Sequence, residues 1–456
     1  MTIRRRGLAA PAAVVKVGGM HELAGTSASR LAQAIGAREA SAREVAEAHL
    51  RRIDAVNGAV NALVQVDAER ALAAADAADA ALARGAPAGP LHGVPFTVKD
   101  NLSAAGIVMA IGDPARARTV AEADATVVAR MKAAGAILLG KTNCPEYGGG
   151  IETDNAVYGR TSNPYDLGRT PAGSSGGEAA AIAALMSPCG LGTDSGASVR
   201  LPAHFCGLAA LKPTAGRIPI TGVLDDEGPF GALSDPRTQI GPLAHTAADV
   251  ALLLRTVAGP DGADGGLAPV SLGDPAAVEL RGLRLAVQVE NGLAPPTPET
   301  AAAVEAAAAA LTAAGCARSD ESHPGGGHEL TIEVWSSYGD GLDSAGLWRL
   351  LRRWDAFRTR MLAFGERHDL ILTPVFGGPA RRHGEMNPPG EIDPTSWTTP
   401  HSLTGWPAAT VRAGTSPEGL PIGVQIVAAP WRDDLALAAA ARIEAELGPF
   451  PGPALG

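Results

Sequence analysis

Thr170 to Leu201 reads TPAGSSGGEAAAIAALMSPCGLGTDSGASVRL, and it constrains the fold more than any other stretch. It holds two glycine–serine clusters. The first is Gly173-Ser174-Ser175-Gly176-Gly177 and the second is Gly192-Thr193-Asp194-Ser195-Gly196-Ala197-Ser198. Between them, the alanine-rich run Glu178 to Met186 predicts a short helix, and Cys189 to Thr193 predicts a short buried strand. Glycine serves where backbone bends tightly or lies close to a ligand. Two serine-bearing turns, held apart by a compact helix–strand unit, read as facing walls of an active site.

Upstream lies Gly93-Val94-Pro95-Phe96-Thr97-Val98-Lys99-Asp100-Asn101. Its apolar, β-branched run predicts a buried strand ending at Lys99. A lysine there is poorly solvated. Desolvation lowers its pKa, so the amine can be neutral and act as a base.

In GVPFTVKDN, AGSSGGEAAA and GTDSGASVRLPA, taken in that order, the chain resembles the amidase signature family, the Ser–cisSer–Lys amide hydrolases. The resemblance runs from His21 to Leu447. It implies that Ser198 is the nucleophile, that Ser174 follows a cis peptide and relays the proton, and that Lys99 is the base. A serine–lysine relay does the work of histidine in the usual triad. The backbone N–H groups of Ser195, Gly196, Ala197 and Ser198 would form the oxyanion hole. Asp194 and Arg200 would pair to hold that loop. Gly148 would offer a backbone contact on the acyl side of the pocket, beside Tyr147; the alternative is that Gly148-Gly149-Gly150 is only a flexible loop. The family usually has glycine where Ala197 stands. Either Ala197 has ordinary φ, or the loop is reshaped.

The resemblance further implies hydrolysis of a small-molecule amide or carbamate, with no metal and no organic cofactor. Similar stand-alone bacterial enzymes cleave aryl amides, nylon oligomers and urethanes. Residues 320–400 carry Trp335, Trp348, Trp354 and Trp397 among weakly charged loops, which favours a bulky, apolar or aromatic substrate. The rival reading is the glutaminase-type component of a tRNA-dependent amidotransferase, which shares these motifs and works with partner subunits.

A net charge of −10 argues against a nucleic-acid surface, which is usually basic. Cys144, Cys189, Cys206 and Cys316 form no CxxC pair and no zinc pattern, and Cys189 and Cys206 read as inert core thiols. No apolar run reaches the ~18 residues of a membrane span. Residues 1–20 faintly mimic a signal peptide, but Pro11 and Lys16 interrupt it. They read as a mobile extension of a cytoplasmic monomer or homodimer, and residues 448–456 as a tail.

The remainder, 21–447, reads as one amidase-type domain in which 320–400 elaborates the substrate pocket. Helices are expected at Ala28–Gly36, from Ser41 with Glu44 completing a capping box, and at Asp67–Ala83, Ala123–Ala134, Thr246–Ala258, Thr297–Ala314, Leu342–Phe364 and Asp433–Leu447. Strands are expected at Asn61–Val66, Ala136–Leu139, Leu208–Leu211, Leu283–Val289, Asp369–Val375, around Thr410 and at Gly419–Val427, with a long loop over Gly378–Thr399. The alternation predicts an α/β fold: a large mixed, mostly parallel β-sheet covered by helices on both faces.

Several look-alikes fall to context. Gly135 to Thr142 matches the Walker A pattern, but its interior Ala-Ile-Leu-Leu is itself a strand. Gly173 to Gly177 matches G-x-S-x-G without a strand before it. His204 and His245 read as structural and His92 as a turn residue. Asp100 either orients Lys99 or caps its loop. The run Asp225-Asp226-Glu227 reads as a solvated loop, since adjacent carboxylates on one strand cannot converge on an ion.

Overall fold

In the computed structural model the described residues are 20–225, 228–230, 238–386 and 395–455. Residues 1–19, Asp226 and Glu227 of the carboxylate run, and 387–394 of the long loop lie outside them.

The strands are β1 (Leu63–Val66), β2 (Pro95–Lys99), β3 (Ile137–Thr142), β4 (Cys189–Asp194), β5 (Ala209–Lys212), β6 (Val223–Asp225), β7 (Gly228–Phe230), β8 (Gln239–Ala244), β9 (Arg284–Val287), β10 (Ala317–Ser319), β11 (Leu370–Pro374), β12 (Ala408–Thr415) and β13 (Pro421–Ala428). Eleven of them form one sheet in the order β1-β3-β2-β4-β8-β5-β12-β13-β11-β9-β10, and β6 and β7 pair separately. This is the expected large mixed sheet. Its parallel pairing lies on two flanks, β3-β2-β4 and β11-β9-β10. From β4 through β8, β5, β12 and β13 to β11 the neighbours are antiparallel.

Both faces are buried, as alternate residues show. Ala209 and Leu211 of β5 join the core that includes Leu253, Leu311 and Leu437 from the helices Ala247–Val257, Pro298–Ala313 and Asp433–Leu447. Ala210 points the other way, to Ile182 and Ala203 of the helices Gly176–Ala183 and Arg200–Cys206. A strand covered on both sides must be apolar throughout, which is why these runs do not alternate.

The local signals at helix starts hold. Ser41 N donates to Glu44 Oε2 at 2.8 Å and Glu44 N to Ser41 Oγ at 3.0 Å, the reciprocal capping box that opens Ala42–Val60. Several elements have no counterpart in the sequence reading, among them one central strand and two helices. Strand β8 contains Pro242, facing Leu191 of β4; proline argues against a central strand, and pairing on both sides overrides it. The helix Gly327–Asp340 starts behind glycines, with no side-chain cap. The helix Thr399–Thr404 is too short to show a period.

The Walker look-alike is β3 itself. Lys141 is buried, paired with Asp100 Oδ1 at 3.0 Å, and donates to the Asp100 carbonyl at 2.7 Å. Asp100 therefore serves Lys141 rather than Lys99, and its Oδ2 fixes the next loop by accepting Ile111 N at 2.6 Å. Gly140 sits where a Cβ would overlap the Gln65 carbonyl of β1. Gly140→Ala is expected to push β1 off the sheet edge and cost about 2 kcal/mol, read as a lowered urea midpoint.

Candidate active site

Parallel β2 and β4 are neighbours, and both end at the same place. Lys99 closes β2 and Asp194 closes β4. Lys99 is fully buried and donates to Ser174 Oγ at 2.6 Å and to Thr193 Oγ1 at 2.7 Å. Burial lowers its pKa from 10.5 to about 8, against the opposing pull of the Asp194 carboxylate. The Cys144 thiol, itself pushed up to about 12 by burial, stays neutral. Thr193 is held in turn by Asn101 Nδ2 at 3.1 Å.

The peptide between Gly173 and Ser174 is cis. Ser174 leads directly into the helix Gly176–Ala183. Ser175 N donates to the Ser198 carbonyl at 3.0 Å, which brings the two serine clusters together. Ser198 itself is half-buried. Among the described residues, the N–H groups of Gly196, Ala197 and Ser198 have no protein acceptor. They are therefore available to a ligand oxygen. The Ser195 side chain turns aside to Thr238 Oγ1 at 2.6 Å.

Ala197 is not among the positive-φ residues, which settles the alternative its sequence posed. Its methyl packs with Leu201, Phe205 and Phe376 instead. The loop is held by Arg200. That buried guanidinium donates to both Asp194 oxygens at 2.9 Å, to Gly196 O at 2.8 Å, to Thr398 O at 2.9 Å and to Ser402 Oγ at 2.7 Å. Burial alone would raise the Asp194 carboxyl; Arg200 outweighs it and the pKa falls.

Gly148 faces the same centre. A Cβ there would stand 3.6 Å from both Lys99 Nζ and Ser174 Oγ. Its neighbour Tyr147 has φ 51° and donates to Asp113 Oδ2 at 2.5 Å, so this wall is pinned. Tyr147 packs on an apolar cluster of Met109, Ile111 and Leu224. Trp335 leans on the loop: a Cβ at Gly196 would meet its ring at 2.7 Å. The other tryptophans of 320–400 do not share this role. Trp397 is buried, Trp348 is 66% exposed, and Trp354 donates to Leu403 O at 2.6 Å.

The histidines are structural. His204 Nδ1 accepts Gly423 N at 2.6 Å, so Nε2 carries the proton and donates to Gly378 O at 2.9 Å. Burial pulls its pKa to about 4. His245 is lowered by burial too, and His92 sits in a turn against Ala78 O. The Cys189 and Cys206 thiols are raised by burial and stay unreactive. Sequence reasoning missed Thr193 and Asn101 as partners of the lysine, and Trp335 as a wall. Thr193 lies inside the second cluster, and Asn101 two residues after Lys99, so the first two had a local signal. Trp335 had none.

A sheet of this order, with a buried lysine at the end of one strand and two glycine–serine turns against it, defines an amide-cleaving hydrolase fold. The family model described as Amidase matches residues 44–327 and 331–437, and the chain belongs to this amidase signature family. An acylamidase from Rhodococcus erythropolis is 34% identical over 92% of this chain and 95% of its own. The matching subunit of the glutamyl-tRNA(Gln) amidotransferase from Moorella thermoacetica is 35% identical, covering 93% of this chain and 97% of its own. Among solved structures, a 6-aminohexanoate cyclic dimer hydrolase superposes with a TM-score of 0.83 at 30% identity, covering 95% of this chain and 99% of that one. A bacterial aryl acylamidase gives 0.82 at 26%, covering 92% and 96%. Among the described residues, no helix is long and apolar enough to cross a membrane.

Arg200→Ala would strip the buried Asp194 carboxylate of its bidentate partner. Breaking such a pair costs about 3–5 kcal/mol. The expected result is a large drop in urea midpoint together with loss of amidase activity.

Proposed function

We propose that the chain hydrolyses bulky, apolar or aryl amides and carbamates through an acyl-enzyme on Ser198. The observation that carries this reading is the buried lysine: Lys99, drawn down to about 8, hydrogen-bonded to Ser174 Oγ at 2.6 Å. In its neutral form Lys99 takes the Ser174 proton as Ser174 takes that of Ser198. Ser198 Oγ attacks the carbonyl carbon. The N–H groups of Ser195, Gly196, Ala197 and Ser198 hold the oxyanion, and losing one such donor typically costs about 10²–10³ in rate. The proton returns through Ser174 to the leaving nitrogen as the C–N bond breaks. Water then releases the acyl group by the same relay. No metal or organic cofactor takes part, and the chain acts as a monomer or homodimer in the cytoplasm without nucleic acid or membrane.

The walls support the substrate class. Tyr147, beside Gly148 and packed on the buried Met109, Ile111 and Leu224, offers an aromatic surface, and Trp335 another over Gly196. The acylamidase and aryl acylamidase relatives agree with it. The relatives that belong to amidotransferases favour a second reading, in which the amide is glutamine and partner subunits are needed.

Four substrates separate the two: 4-nitroacetanilide, an aryl carbamate, hexanamide and glutamine, each with the purified chain and with Ser198→Ala. Turnover of the anilide or carbamate, lost in the variant, is the expected result. Glutamine as the sole substrate would move the assignment to the amidotransferase component, and activity surviving in Ser198→Ala would remove the nucleophile from Ser198. Activity is also expected to rise with pH through a midpoint near 8, because the lysine works only when deprotonated. Lys99→Ala should abolish that rise along with most of the rate; an unchanged pH profile in the variant would exclude Lys99 as the base.

A further inference from the structure

Glu178 is a fully buried carboxyl group that the relay does not use. It stands in the first turn of the helix that follows Ser174. Thr97 Oγ1 donates to its Oε1, and Thr142 Oγ1 donates to its Oε2 at 2.7 Å. Both threonines belong to the lysine's surroundings. Thr97 lies two residues before Lys99 on the same face of β2. Thr142 is the register partner of Lys99 on β3. Gly190 of β4, the register partner of Thr97, makes room below: a Cβ there would overlap Glu178 Oε1. One carboxyl group thus ties the Ser174 helix to β2 and β3 while seated on β4.

The chemistry of this seat is unusual for a merely structural position. Burial raises the Glu178 pKa to about 8, against the two threonine donors. Among the described residues no cation pairs with it, and the Cys189 thiol, which its charge would act on, is held neutral by burial. An apolar side chain of this size would be cheaper to bury. What a carboxyl group adds is direction: two oxygens, each aimed at one hydroxyl on a stiff β-branched side chain. The helix packs tightly enough to use it, since a Cβ at Gly177 would meet the Asn143 backbone just beyond β3 at 2.5 Å.

We propose that Glu178 is a positioning residue for amide cleavage: by holding Thr97 and Thr142 together, it fixes the Ser174 helix against the Lys99 strand and so sets the lysine–serine distance. The inference rests on the relay reading above. A displacement of about 1 Å at a reacting centre can cost about 10²-fold in rate. The hold therefore controls kcat, not substrate binding.

The test compares wild type with Glu178→Gln, Glu178→Leu and Thr142→Val on whichever panel substrate wild type turns over. Readouts are kcat, KM, the pH profile and the thermal midpoint. Glutamine can accept from one threonine and donate to the other, so Glu178→Gln should keep kcat within about threefold. Glu178→Leu should lose about 10²-fold in kcat with KM within about twofold. Its pH rise should move upward, because a loosened wall admits water to Lys99 and relieves the desolvation that lowers its pKa. Its thermal midpoint should not fall in proportion. Thr142→Val removes one donor without opening a cavity, and should lose about tenfold in kcat even if the leucine variant does not fold. Glu178→Leu with wild-type kcat and an unmoved pH rise would overturn the proposal, as would equal losses in Gln and Leu. Ser198→Ala separates the two levels: if that variant stays active, the relay reading fails, whereas an inactive Ser198→Ala beside a fully active Glu178→Leu removes only the positioning role.

Discussion

The whole site depends on keeping one amine out of water. Lys99 ends a strand that is buried along its full length, and among the described residues its nitrogen donates only to hydroxyls, those of Ser174 and Thr193. Desolvation weakens its charged form enough to bring the pKa to about 8. The surroundings are chosen to leave that effect standing. Cys144 stays a thiol, and the Asp194 carboxylate, which would pull the lysine back up, is claimed by Arg200. A second lysine, Lys141, sits one strand away on β3, paired with the Asp100 carboxylate. Two buried lysines thus have opposite surroundings, one paired and one facing hydroxyls.

The loop geometry follows from the same arrangement. Arg200 engages Asp194 and the Gly196 carbonyl at once, so the loop's carbonyl is turned inward. Among the described residues, the N–H groups of Gly196, Ala197 and Ser198 are left without protein acceptors. Preorganised donors of this kind need no rearrangement when negative charge develops on a bound oxygen. Trp335 packs over Gly196 of this loop, and Tyr147 packs on Met109, Ile111 and Leu224 next to Gly148, which faces Lys99 and Ser174.

Much of this was legible in the chain. The three motifs named the family, the strand ending at Lys99 followed from its β-branched run, and the capping box marked the helix start at Ser41. The mixed, doubly covered sheet followed from alternating elements. What stayed hidden is what only pairing decides. The antiparallel centre rests on β8, whose Gly and Pro carry no strand signal and whose neighbours supply the register. Trp335 reaches the loop from a helix far along the chain, and no spacing rule selects it over Trp348 or Trp397. Glu178 stands in the sequence only as the first residue of an alanine-rich helix, and its partners are threonines of two other strands. Ala197 looked like a misfit in a glycine position, and its ordinary φ explains why alanine is tolerated.

The most direct measurement of the central claim is covalent labelling. The purified chain would be treated with an aryl fluorophosphonate, digested and mapped by mass spectrometry, with Lys99→Ala alongside. A buried neutral lysine driving Ser198 through Ser174 requires a single label on Ser198, formed far more slowly in the variant. A label on Ser174, or labelling of Ser198 at the same rate without Lys99, would contradict it.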